Sequence, residues 1–146
     1  MPFQSEPGTI RWNLHFNSPR QAVFDALATD EGRAKFWAEA APEEDGIITF
    51  HIINYEPYKS RILQRQESSL FKLEYFGSVV EFLLSDDGAD GTDLALTATQ
   101  VDEAWRMEMT AGWVSVLMSM KAAVDHQIDL RNHDAARSWD RGYVDN

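Results

Sequence analysis

Regular alternation begins at Ile10. Apolar residues at 10, 12, 14 and 16 alternate with polar ones through Ile10-Arg11-Trp12-Asn13-Leu14-His15-Phe16, the period of a half-buried strand. Ser18-Pro19-Arg20-Gln21 follows, with serine at an N-cap, proline at the first helical position and glutamine three beyond the cap. That is a capping box, and it predicts a helix carried by Ala22, Val23, Ala26 and Leu27. Asp30 reads as a second cap, opening a short helix through Phe36 and Trp37. Pro42 and Glu43-Glu44-Asp45-Gly46 close this section.

From Ile47 the pattern changes. Apolar and β-branched runs at 47–55, 60–66, 70–76, 79–85 and 94–100 are separated by turn formers such as Glu56-Pro57-Tyr58, Gly77-Ser78 and Asp86-Asp87-Gly88. No proline follows Pro57, which suits hydrogen-bonded strands. Connectors this short favour an antiparallel meander, because parallel neighbours need crossovers of a dozen residues or more. Alternation puts Phe71, Leu73 and Tyr75 on one face, with Val80, Phe82 and Leu84, and with Trp12, Leu14 and Phe16. Over 47–53 both faces are apolar, so the orientation of Phe50 and Ile52 stays open.

The last third predicts one long helix. Apolar or small residues at 105, 109, 112, 113, 116, 117, 120, 123, 124 and 128 keep the helical period for more than six turns. Asp102 or Thr110 would cap its start and Asn132 its end. A helix over 103–130 would be ~40 Å long, against a radius of gyration of about 15 Å for a compact chain of this length. It must cross the whole body. Strand, two short helices, about five strands and a long helix make an α+β architecture, a curved sheet gripping a single helix.

The chain has 146 residues and no cysteine, which removes disulfides, thiolate metal sites and thiol catalysis. One domain spanning 1–146 is expected, with its core at about 10–131. Twenty-four acidic against 13 basic residues give a net charge of −11, a field that repels phosphate backbones and anionic membranes. Neither nucleic acid nor membrane is therefore an expected partner. Met1–Thr9 lacks the basic and apolar regions of a signal peptide, and no apolar run approaches the ~18 residues of a membrane-spanning helix. A soluble cytoplasmic protein is expected. Yet 12% of the chain is aromatic, including five tryptophans, and what those rings enclose becomes the question.

Ser18-Pro19, Val23-Phe24-Asp25-Ala26-Leu27-Ala28-Thr29, Phe36-Trp37, Gly91-Thr92-Asp93-Leu94 and Ala111-Gly112-Trp113 with Leu117 and Met120-Lys121 resemble the SRPBCC (START-like, helix-grip) superfamily. Within it they are most similar to the branch related to the C-terminal domain of the activator of the heat-shock-protein-90 ATPase. The resemblance spans about residues 10–130. It implies a curved sheet of six or seven strands, two short helices after the first strand, and a cavity between sheet and C-terminal helix suited to hydrophobic ligands. The second short helix of that family often carries two adjacent tryptophans, where this chain has Phe36-Trp37. The segment 132–146 extends beyond the common domain. Trp139, Tyr143 and Val144 should anchor it to the body or to a second subunit, since a disordered tail has no use for apolar anchors.

Candidate ligand-lining residues are Trp37, Phe50, Phe71, Tyr75 and Phe82, facing Trp105, Met109, Trp113, Leu117 and Met120 on the helix. Rings and flexible thioethers make an adaptable apolar wall; the plainer reading is that they pack the core. His126 and His133 are seven apart, ~10 Å along a helix axis, too far to share a metal whose Zn–N bonds are about 2 Å. Asp86–Asp93 fails the register of a calcium loop, with Gly88 and Thr97 where oxygen ligands are needed. Neither catalytic residues nor metal ligands nor cofactor motifs emerge. Glu103, Arg106 and Glu108 lie near the expected mouth of the grip, where acids also favour the helix dipole. The leading expectation is a non-enzymatic domain, monomer or homodimer, that binds a small hydrophobic molecule. The alternatives are a chaperone-regulating interaction module, and an enzyme relying on Glu74, Glu81, His51 or Tyr75.

Overall fold

A computed structural model describes residues 3–146. Met1 and Pro2, the start of the segment tested above for a signal peptide, lie outside the described residues. The chain runs β1 (Ile10–Phe16), α1 (Arg20–Ala28), α2 (Asp30–Ala34), β2 (Glu43–Glu44), β3 (Ile47–Phe50), β4 (Tyr58–Gln66), β5 (Leu70–Tyr75), β6 (Ser78–Asp86), β7 (Thr92–Thr99) and α3 (Arg106–His126). The class is α+β. The strands form one antiparallel sheet ordered β1-β7-β6-β5-β4-β3-β2. The meander is uninterrupted from β2 to β7, and β1 closes onto β7 from Ile10↔Ala98 to Phe16↔Thr92. Between Ile62 and Gln64 the β4–β5 register shifts by a bulge, which bends the strand and adds twist. No helix among the described residues is long and apolar enough to cross a membrane.

Both short helices start differently from their sequence signals. Pro19 itself occupies the N-cap of α1, without a side-chain cap. Ser18 is drawn away to the end of α3, where the Asp125 carboxylate accepts from the Asn17 and Ser18 amides and from Ser18 Oγ at 2.7–3.2 Å. One carboxylate collecting three donors outcompetes a neutral capping box. At α2 the cap is Thr29, whose Oγ1 accepts from Gly32 N at 3.0 Å and donates to the Asp25 carbonyl at 2.7 Å. Helix α2 stops at Ala34, and Phe36 and Trp37 follow in a turn. Gly32 permits the tight α1–α2 corner: a Cβ there would lie 2.4 Å from the Asp25 carbonyl oxygen and 2.6 Å from Ala26 Cα.

The corner is pinned by a charged side chain. Arg33 is completely buried. Its Nε donates to Ala41 O at 2.9 Å, its Nη1 to Leu27 O at 2.9 Å, and its Nη2 to Asp30 Oδ1 at 2.7 Å. Burial pulls its pKa down, opposed by Asp30 and Glu43. Asp30 Oδ1 also accepts from Glu43 N at 3.0 Å, so the same constellation sets the entry to β2.

Strand β3 ends at Phe50 rather than continuing to 55: His51 bridges Ala40 instead, and a turn with Asn54 at a left-handed φ of 68° leads on to β4. Phe50 points inward and is fully buried; Ile52 is half-buried. Helix α3 is likewise shorter than its periodicity. A 3-10 turn, Glu103–Trp105, capped by the Asp102 carboxylate on Ala104 N, precedes it. At its other end Gln127 turns left-handed (φ 53°), so Asn132 is no cap. The 21 residues span roughly 32 Å. His126 ends the helix and His133 lies beyond it, so the two never share a helical face.

At the open edge of the sheet, β1 is partly covered. Gln4 bonds both the N–H and the carbonyl of Arg11, and Lys121 Nζ donates to the His15 carbonyl.

Candidate functional site

Trp37 stands at the centre of the layer between α3 and the sheet. Its ring lies 4.8 Å from Phe50, 5.5 Å from Tyr75, 5.7 Å from Phe82 and 6.0 Å from Trp113, centroid to centroid. Phe36 stacks on it at 5.7 Å. Tyr75 and Phe82 approach Trp113 at 5.4 and 5.9 Å, so rings from β3, β5, β6, α3 and the turn after α2 form one contiguous cluster. Edge-on and tilted contacts dominate, as ring quadrupoles favour. Trp37 Nε1 donates to Tyr75 Oη at 3.2 Å. Burial pushes the Tyr75 pKa up, against the pull of the Trp37 bond, so its hydroxyl stays neutral.

Of the ten candidate lining residues, Trp37, Phe50, Tyr75, Phe82 and Trp113 thus meet directly. Phe71 is fully buried further along, edge-on to Phe24 of α1 at 6.5 Å. Leu117 and Met120 are buried in the same core, and Met109 packs against it half-buried. Trp105 is elsewhere: it is 60% exposed. The tighter winding of the 3-10 turn breaks the helical phase by which it was aligned with Met109 and Trp113. Of the side chains weighed for catalysis, His51 and Glu74 are exposed, and Glu81 lies on the outer face paired across the strands with Lys72. Only Tyr75 reaches the interior.

The interior is filled by these rings. A cavity of about 40 Å³ remains at its end, between Trp37, Ile52, Val116, Ser119 and Arg131, room for little more than solvent. Two buried side-chain polar atoms among the described residues make no hydrogen bond, Ser60 Oγ and Trp12 Nε1, the latter on the β1 side beside the outer groove. Ser60 shares the inward face of β4 with Tyr58, whose ring meets Tyr75 at 6.2 Å. A larger groove of about 560 Å³ lies outside, open to solvent, between Trp12 and the Arg106, Met107 and Val114 side of α3.

Residues 127–146 cover the small cavity. Arg131 donates to Ala38 O at 2.7 Å and Ala34 O at 2.8 Å. Asn54 Nδ2 donates to Ala135 O at 2.8 Å. Ser138 is fully buried, Trp139 Nε1 donates to Glu108 Oε1 at 3.1 Å, and Ser115 Oγ donates to Val144 O. The Trp139 ring lies over Gly112, where a Cβ would touch Cζ2 at 4.0 Å. Tyr143 and Val144 stay exposed. Of the three expected anchors only Trp139 docks; the rest of the course has no sequence signal, since its fastenings are single polar side chains 20 to 100 residues away.

No protein-family model matches the sequence, and no curated protein matches it. Solved structures do. A structural-genomics protein of Staphylococcus saprophyticus superposes with a TM-score of 0.74 at 22% identity, over 84% of this chain and 96% of the other. The Aha1 dimer of Colwellia psychrerythraea gives 0.72 at 17% identity, over 81% and 96%. CalU16 of Micromonospora echinospora gives 0.64 at 21%, over 78% and 72%. Identities this low speak for the fold alone. Seven antiparallel strands curved around one long C-terminal helix, with two short helices after the first strand, are an Aha1-like helix-grip fold.

Proposed function

We propose that the chain is a binding protein whose helix–sheet interior, filled by its own rings when empty, parts to take a small hydrophobic molecule carrying one hydrogen-bonding group. The observation that carries this is the buried, unpartnered Ser60 hydroxyl, two residues along β4 from Tyr58 on the same face. An orphaned buried polar group costs about 1–3 kcal/mol, and folded proteins seldom keep one without a use. A ligand offering a partner atom would satisfy it, while Trp37, Tyr75 and Trp113 supply a largely apolar wall.

The test combines a thermal-shift screen of aromatic and acyl compounds with native mass spectrometry. At least one compound should raise the melting temperature of the wild-type protein and be retained as a complex. Ser60→Ala should stabilise the unliganded protein by about 1 kcal/mol yet weaken that compound's binding. A screen without a stabilising compound, together with a destabilised Ser60→Ala, would overturn the proposal.

A second reading rests on the outward face of α3. Met107, Val114 and Met118 are 88%, 42% and 49% exposed. With Ala111 they fall at the 4-3-4 spacing of a helix–helix seam. The chain would then act as an interaction module, pairing with itself or with a chaperone. Sedimentation should show a dimer that Met118→Glu converts to monomer; a monomer at every concentration would rule out self-pairing.

A further inference from the structure

Residues 127–146 return along α3 and lie over the only end of the aromatic layer where space remains among the described residues. Their fastenings are few and unequal. Asn132 N donates to Asp145 O at 2.7 Å, and Asn132 Nδ2 to Asp145 Oδ1 at 3.1 Å, closing the segment into a loop of its own. Two side chains fasten that loop beside the turn after α2: Arg131, through the Ala34 and Ala38 carbonyls, and His133, the one of the two that can lose its charge near neutral pH. Its Nδ1 lies 2.7 and 3.0 Å from the two Glu39 carboxylate oxygens, and its Nε2 lies 2.6 Å from Asp129 Oδ2. Carboxylates only accept, so both ring nitrogens must donate, and only the imidazolium does that. A neutral ring would turn one lone pair onto a carboxylate.

We propose that residues 127–146 are a strap that gates the interior, latched by protonated His133 between Glu39 and Asp129 and loosened when His133 loses its proton. The inference rests on the interior being the binding site. The charged groups around the latch are Glu39 from the turn after α2, and Asp129 and Arg131 from the strap itself. Arg131 is committed to Asp129 and to the Ala34 and Ala38 carbonyls.

The sign follows from the groups. Glu39, and then Asp129, raise the His133 pKa above its ordinary 6.5 against the effect of burial. The contribution of the latch is therefore complete below about pH 6.5 and disappears as pH rises through the raised value. Asp129 behaves in the opposite way. Burial alone would raise it, but the bonds from Arg131 and His133 outweigh that and hold it at about 2. Its share is complete above about pH 4 and is lost only as pH falls toward 2. The strap is thus held best between these limits and loosens as pH rises through the raised His133 value. All three side chains are more than a third exposed, so solvent screens the pairs and the latch is weak enough to open.

Hydrogen exchange of residues 127–146 in the full chain, at about pH 6 and about pH 8.5 with the intrinsic chemistry divided out, reads the latch. Wild-type protection should fall several-fold across that range. His133→Asn, which keeps a residue that tolerates the left-handed backbone (φ 56°), should show the low protection at both values. Glu39→Gln should lower protection at pH 6. Stopped-flow uptake of Nile red, a neutral probe, reads the gate: uptake should speed up in the same samples and by a similar factor. Protection indifferent to pH and to both variants overturns the latch. A loosened strap with unchanged uptake overturns the gate but leaves the interior site standing. A loosened strap with no uptake in any sample overturns the interior site, and the gate with it.

Discussion

Arg33→Ala is expected to cost about 3–5 kcal/mol, the range found when one partner of a buried charged constellation is removed. Against a typical total of about 5–15 kcal/mol for a domain, that leaves a protein near or past its threshold. Two losses combine. The Leu27 and Ala41 carbonyls lose the donors that satisfy them at 2.9 Å, and a cavity replaces a side chain with no exposure at all. Asp30→Asn should also destabilise, because it leaves the buried Arg33 guanidinium without its carboxylate, though the amide oxygen can still accept and the site is half open to solvent on that side. Urea unfolding checks both: the midpoint should drop steeply for Arg33→Ala at an unchanged slope. A loss under about 1 kcal/mol would mean that water enters and satisfies both carbonyls.

Trp37→Ala should be nearly as severe, at about 3–5 kcal/mol for a large buried ring, and its consequence is more informative. Five rings, those of Phe36, Phe50, Tyr75, Phe82 and Trp113, lose their common neighbour, and Tyr75 Oη loses its donor. An apolar hole so lined should stay dry and accept a small aromatic molecule. Indole should therefore raise the melting temperature of Trp37→Ala while leaving the wild-type protein unchanged. If indole does nothing to the variant, the cluster has collapsed into the gap, and the aromatic layer is soft rather than preformed.

Alternation made much of this layer legible. Phe71, Leu73, Val80, Phe82 and Leu84 are inward because a pleated strand has no other choice once one face is buried. Trp113, Leu117 and Met120 follow from helical phase in the same way. The reading failed where a local signal met a distant competitor. Ser18 has the form of a cap, but Asp125, 107 residues away, takes its hydroxyl. Trp105 fits the helical stripe numerically, yet the Asp102-capped turn puts it out of phase. Arg33 in a short polar helix gives no sign that Leu27 and Ala41 wait for its guanidinium. Trp139 does sit on the body, over Gly112, while Tyr143 and Val144 do not, and the start of the strap was hidden because the left-handed Gln127 ends α3 inside a sequence whose periodicity continues to 128.

The covering of β1 also governs how copies of this chain meet in a crowded solution. An exposed edge strand is a template for strand addition, the first step toward aggregates. Here Gln4 occupies both outward backbone groups of Arg11, and Lys121 takes the carbonyl of His15. Asn13 and the His15 amide are left between and beside them, a short foothold for a foreign strand. The N-terminal segment and the last helix thus act as stoppers at this margin of the sheet, opposing strand addition by geometry where the net charge opposes it by repulsion.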